Sequence, residues 1–426
     1  MLVKSHMHAA PELAAGVASL PSAGSAFAAT QGAWRFLNNE RVELSALVAP
    51  LREIGRSRAA GSQACFALLV HDWCKLSYPA GSKRDLVQLT HETDIGYELT
   101  NALLVSADDG NPLAPMEMHV RTAKGVLSTR APAPRVRPHL EQVLPTMEAS
   151  RAWGLSKLLV HVIDREADSV DHYRRWDAKG HKFVIRADDR RVKWNGQPIL
   201  LSEIRKQWRR RQEFRRVGAA SYHGRPAELW VVETDVVLYR PAKKNVRGKK
   251  YARPGPPLAL RYIVVQLRDG QGKLLAEWML LSNVPRGWAT TEHLARCYYW
   301  RWKIESFFKL LKSHGLQLEQ WQQETGPAIA RRLLVAAMAC VVVWQLQADD
   351  SPEATEFKNV LVRLSGRQMK RGKNARPFTE SALLAGLGVL ISLLDCLQRY
   401  SLHDLRCLAE ATLPGLISPR AKLEDG

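Results

Sequence analysis

The sequence predicts an α/β fold, a mixed sheet with helices, interrupted by a β-rich insertion and followed by an α-helical C-terminal region. Three observations lead there. Two short apolar runs, Cys65 to Val70 and Leu158 to Ile163, lead into acids at Asp72 and Asp164, the pattern of buried strands with a carboxylate at the C-terminal end. A long basic stretch between 186 and 253 alternates strand-like segments with charged loops. From residue 326 onward the pattern is helical.

The chain has 426 residues, enough for a sizeable core, and 62 Lys and Arg against 42 Asp and Glu leave a formal charge of +20. Such an excess favours a polyanionic partner, nucleic acid first. A membrane surface is disfavoured because no basic amphipathic helix with an unbroken apolar face is evident. The uncharged runs Leu333 to Trp344 and Ala382 to Leu394 are shorter than a bilayer span and read as core helices. The N-terminus has no export signal, and six scattered cysteines form no C-x-x-C pair. Zinc and a disulfide framework are therefore not expected, and a reducing cytoplasm is.

Residues 1–30, rich in Ala, Gly, Ser and Pro, read as loose, and a helical segment runs from Gln31 towards Arg56. After the first strand, Tyr97 to Ser106 and Glu117 to Thr122 are strand candidates around the turn Asp108-Asp109-Gly110-Asn111-Pro112, which suggests an antiparallel meander. A helix from about His139 to Trp153 precedes the second acid-ended strand. Asp164-Arg165-Glu166-Ala167-Asp168 then leads into a helix as far as Trp176, and Lys182 to Arg186 is one more strand. On this evidence Asp164 could equally be a helix N-cap and Asp168 a surface residue.

From Arg186 to Arg253 there are 19 Lys and Arg against 7 Asp and Glu, more than half of the chain's excess positive charge. Basic runs at 205–211 and 243–250 flank the strand candidates Leu229 to Tyr239 and Leu258 to Leu267. A turn at 270–272 leads to the return strand Leu274 to Ser282. Trp208, Trp230 and Trp278 are interleaved with these charges, and aromatics beside cations suit unstacked bases.

Residues 298–312 read as the middle of one long helix, capped by Thr290 or Thr291 and ended by Gly315. At 100° per residue Tyr298, Arg301, Glu305, Lys309 and Lys312 fall within about 80° of one another, opposite Trp300, Ile304, Phe307 and Leu311. The polar stripe is either a solvated face laced by ion pairs such as Glu305 with Lys309, or part of a phosphoryl-transfer site. Asp72, Asp164 and Glu305 come from separate elements, as a pair of hard divalent cations requires of its carboxylates.

The spacing Tyr298-x2-Arg301-x3-Glu305-x6-Lys312, with Asp164 to Asp168 before it, resembles the bacterial insertion-sequence transposases with a DDE triad, in the branch named after its Tyr-Arg-Glu-Lys motif (the insertion-sequence-four family). The resemblance extends to Leu68 to Tyr78 around Asp72, Phe183 to Arg186, Trp278 to Ser282, and Gly32-Ala33-Trp34-Arg35-Phe36. It implies a ribonuclease-H-like fold in five parts. Residues 1–60 would be a helical, shortened DNA-binding region, 61–188 the first part of the catalytic core, and 189–288 a β-rich basic insertion domain. Residues 289–325 would carry the core helix with Glu305, and 326–426 a helical region that could serve dimerisation.

The resemblance further implies a cut-and-paste reaction through a hairpin intermediate, needing two Mg²⁺ ions for which Mn²⁺ could substitute. The partners would be double-stranded DNA, both terminal inverted repeats and target, bound by a homodimer without a membrane. Carried over by motif, Asp72, Asp164 and Glu305 would bind metal, while Tyr298, Arg301 and Lys312 would contact phosphates. Lys309 and Arg186 would add DNA contacts, and Trp278 would stack a flipped base unless it is a core residue of its strand. Two rival readings are a silent transposase-derived DNA-binding inhibitor and a structure-specific nuclease on the same fold.

Overall fold

Strand β1 (Phe66–Ser77) is central, and its opening residues, Phe66 to Val70, are buried on both faces. That is why an apolar run without alternation forms a strand here. The computed structural model describes residues 26–79, 81–134, 139–246, 249–312, 315–366 and 378–413. Of the segment expected to be loose, 1–30, residues 1–25 lie outside the described residues and 26–30 open a helix instead; residues 370–377, a basic loop by sequence, and 247–248 of the basic run also lie outside them.

β2 (Val87–Gln88), β3 (Ile95–Val105), β4 (Pro112–Thr122) and β5 (Gly125–Ser128) follow as antiparallel strands, with β3 against β1 and β4 against β3. The chain then crosses over to β6 (Leu158–Ile163), parallel to β1, and to β7 (Lys182–Arg186), parallel to β6. The order β4-β3-β1-β6-β7 is a ribonuclease-H-like mixed sheet.

The basic segment does not close into a sheet of its own. It comprises β8 (Arg191–Trp194), β9 (Gln197–Leu200), β10 (Arg215–Tyr222), β11 (Arg225–Leu238), the hairpin β12 (Ala242–Val246) and β13 (Lys249–Arg253), β14 (Leu258–Arg268) and β15 (Leu274–Ser282). β15 pairs with β7, so the main sheet runs on through β14 and β11 to β8 and β9, and among the described strands only β12 and β13 stand apart. The seam is fastened by side chains: Ser282 Oγ donates to the Phe183 carbonyl (2.7 Å) and Asn283 Oδ1 accepts from the Phe183 amide (2.8 Å).

Helices cover both faces. α1 (Ala26–Asn38), α2 (Leu44–Leu47) and α3 (Ala49–Ala60) come first, and α3 lies on β4. Gly55 permits that approach, because a Cβ there would meet Met116 Sδ at 2.6 Å. α4 (His139–Ser150), α5 (Val170–Ala178) and α6 (Leu201–Arg211) cover the other face. Against the α3 face pack α7 (Thr291–Trp300), α8 (Trp302–Lys312), α9 (Gly326–Ala348), α10 (Pro352–Leu364) and the first half of α11 (Glu380–Leu397), while α12 (Leu402–Thr412) is exposed.

Several expectations need correction. The long helix is two, α7 and α8, separated by a turn at Arg301. Thr290 caps the first, its hydroxyl accepting from the His293 amide at 3.2 Å. The two apolar runs sit in helices of 23 and 18 residues, long and apolar enough to span a bilayer by length and composition. α9 is largely buried as a core helix, but α11 leaves Val389, Leu393 and Leu394 exposed. Trp208 is no surface platform: it is buried and stacks on Tyr262 (ring centroids 5.3 Å). Asp168 is not a surface residue either. It is buried between Arg190 and the Tyr173 hydroxyl.

Candidate active site

Register alone brings the first two acids together. His71 lies opposite Ile163 on parallel strands, so Asp72 and Asp164, the next residue of each chain, emerge side by side at one sheet edge. Asp72 Oδ1 accepts from the Trp73 amide (2.9 Å), and the Asp164 side chain caps the short turn 165–167 by accepting from the Arg165 amide. The N-cap reading of Asp164 thus holds, and it coexists with a place beside Asp72.

The third acid arrives from the opposite layer. Glu305, in the first turn of α8, and Arg301, at the joint between α7 and α8, both face the strand ends. Arg301 is only 5 % exposed and bridges all three carboxylates. Its Nη1 donates to Asp72 Oδ2 at 2.8 Å and its Nη2 to Glu305 Oε1 at 2.6 Å, while Asp164 Oδ2 lies 3.8 Å from Nη2.

The electrostatics reflect three acids around one base. Asp72 stands raised to about 6: burial pushes it up, Arg301 and the Trp73 amide pull it back, and Glu305 and Asp164 add to the rise. The guanidinium is held charged above its ordinary range: burial works against it, but Tyr298 and the three carboxylates outweigh burial. Beneath it Tyr298 is buried, 5.9 Å from the guanidinium carbon, and burial lifts its phenol to about 12.

The remaining motif residues are placed unevenly. Lys312 Nζ reaches back to the Lys75 carbonyl (2.7 Å) and Glu319 (3.0 Å), Lys309 is exposed, and Arg186 ends β7 partly exposed. Trp278 is buried against Tyr298 and Trp302, with ring centroids 5.7 and 5.8 Å away, so stacking a base on it would require this aromatic cluster to open.

Sequence reasoning passed over two neighbours of the triad. Asn101, opposite Asp72 on β3, is buried with neither amide atom partnered, and its only trace in the sequence is an amide inside an apolar strand. Trp73 stacks on His139 (4.0 Å) and donates to Glu166 Oε2 (2.9 Å), tying β1 to the turn that follows Asp164.

The donor set suits a hard divalent cation: three carboxylates, no sulfur, no imidazole, converging where a positive group already sits. Among the described residues no three acidic, His or Cys side chains form a group that could hold a metal ion as they stand, and Arg301 lies between these carboxylates.

No curated protein matches the chain significantly. Among solved structures it is similar to the piggyBac transposase in its synaptic complex with hairpin DNA, at 10 % identity and a TM-score of 0.40. That likeness covers 99 % of this chain and 75 % of that one, and is too distant to bear on the site. Residues 121–342 match the family described as Transposase DDE domain, a stretch that contains Asp164, Arg301 and Glu305 and begins after Asp72. With more than half of its length inside that match, this chain belongs to the DDE-domain transposases, enzymes that cut and join DNA.

Proposed function

We propose that the protein is the transposase of a bacterial insertion sequence, which frees and rejoins DNA ends by cut-and-paste chemistry through a hairpin. Asp72, Asp164 and Glu305 would hold two Mg²⁺ ions, or Mn²⁺ in their place. Such ions, when bound, activate an attacking water or 3′-hydroxyl and stabilise the leaving oxygen. The protein's own residues then orient the DNA. Arg301, Tyr298 and Lys312 lie on the Glu305 side of the edge, where phosphates flanking the cleaved bond would run, with Lys309 and Arg186 further along. The basic strands β8–β15 offer a positive surface for more of the duplex, and two copies would act on paired ends.

One observation supports this reading above the others: two acids in register on neighbouring parallel strands and a third on a helix over that edge, all within reach of one buried guanidinium. The test is cleavage of the element's own terminal repeats with Mg²⁺ or Mn²⁺. Asp72→Asn and Glu305→Ala should each lower the rate by about 10³ or more. Parental rates in either variant would sink the assignment, and so would cutting of branched DNA with no need for the repeats.

A further inference from the structure

Arg301 lies where a metal ion would have to be. Its two terminal nitrogens engage Asp72 Oδ2 and Glu305 Oε1, oxygens that a cation shared by these carboxylates would also need. Three carboxylates converging on a buried point repel one another unless a positive charge lies among them, and here the chain supplies it. We infer that Arg301 is an internal cation that closes the metal site until DNA draws it away, so that divalent metal and the guanidinium compete for the same oxygens. This rests on the assignment of Asp72, Asp164 and Glu305 as metal ligands.

Three features suit Arg301 to leave as well as to stay. It stands at the joint between α7 and α8, where its amide bonds the Tyr298 carbonyl and its carbonyl takes the Ile304 amide, so its side chain can swing without unwinding either helix. Its Nε is buried with no acceptor, so the closed position leaves one donor unsatisfied. And a guanidinium fork matches a phosphodiester, which can accept two parallel hydrogen bonds. DNA backbone at the edge would relieve the orphaned donor and free the carboxylate oxygens together. By linkage, whatever factor DNA adds to metal affinity through this residue, metal adds to DNA affinity.

The test is Mn²⁺ binding to the full chain without DNA, read by calorimetry or by the spin-resonance signal of the free ion. Arg301→Gln should bind Mn²⁺ about tenfold more tightly than the parent, within the usual range of coupling between two ligands. Arg301→Lys, which keeps the charge but not the fork, should fall between them. A residue that only contacts DNA would leave metal binding unchanged in DNA's absence, so equal or weaker binding by Arg301→Gln overturns the inference. Asp72→Asn and Glu305→Gln separate the two ideas. If they abolish Mn²⁺ binding while Arg301→Gln does not strengthen it, the ligand assignment stands and the competition is wrong; if they leave binding intact, both fall. Should Arg301→Gln not fold, the parent carries the test. The Arg301 Nε–H resonance, identified by its loss in Arg301→Lys, should exchange slowly with water and quicken when Mg²⁺ is added, and an unchanged rate overturns the inference.

Discussion

Two buried arginines flank α7, and they are built on different plans. Arg261, 5 % exposed, holds the segment entering the helix: Nε and Nη2 grip both oxygens of Glu233 (2.9 and 2.8 Å), and Nη1 donates to the carbonyls of Val284 and Ala289 (3.1 and 2.8 Å). Thr291, the first residue of α7, adds its hydroxyl to Glu233 (2.6 Å). Arg301, equally buried just past the last residue of α7, spreads itself over three acids and leaves Nε without an acceptor. Although burial opposes it, the partners hold Glu233 below the ordinary carboxylate range, whereas burial and crowding leave Asp72 above it. A saturated ion pair anchors backbone, and an unsaturated one stores a rearrangement.

The sharpest way to break the comparison is to remove one acid from each cluster. Glu233→Ala strands a buried guanidinium and should cost roughly 3–5 kcal/mol in denaturant unfolding. Asp72→Asn relieves repulsion among three acids, so stability should change by less than about 1 kcal/mol while cleavage disappears. Equal losses of stability would mean that the two arginines serve the same purpose.

A third buried polar group extends the contrast, this time one kept neutral. His71 Nε2 lies 3.0 Å from His161 Nδ1, and His181 packs edge-on to His161 (5.4 Å). Burial lowers His161 well below its ordinary range, and burial, together with Arg151 and Lys179 and against Glu148, lowers His181 to about 4. Because folding depresses these values, their contribution is complete above pH 6.5 and is lost as the pH falls from there towards 4. His161→Leu should flatten that limb, measured as unfolding free energy against pH. An unchanged limb would place the acid sensitivity in carboxylates such as Glu233.

The smallest effect belongs to arginines that solvent already surrounds. Arg210, exposed at the end of α6, should contribute to DNA binding mainly through counterion release. Arg210→Gln should reduce the slope of log K against log salt by about 1 and weaken binding equally for all sequences. A loss confined to terminal-repeat DNA would instead mark it as a base-reading residue.

The strand ends were legible because acids interrupt apolar runs, as at Asp72 and Asp164. Their adjacency was not, since it depends on β1 and β6 pairing in parallel with His71 opposite Ile163, a long-range choice that periodicity does not encode. Arg301 was legible as part of a polar stripe but not as buried, because its burial comes from the strand ends above it. The break beside it has neither Gly nor Pro to announce it. Trp208 misled for a related reason: neighbours in sequence on a helix point to different faces, so an aromatic among arginines can be core while the arginines are surface.

The seam at β7 and β15 has a mechanical consequence. With Leu280 opposite Arg186 and Ser282 opposite Val184, the basic strands and the strand that leads into Asp164 are planks of one deck, joined by the pairing of β15 with β7 and of β7 with β6. Sheets bend by changing twist across neighbouring strands, so a load applied at the outer planks would arrive at the acids as a small rotation rather than being lost at a pivot. Grip at a distance and alignment at the cutting edge would then be a single motion.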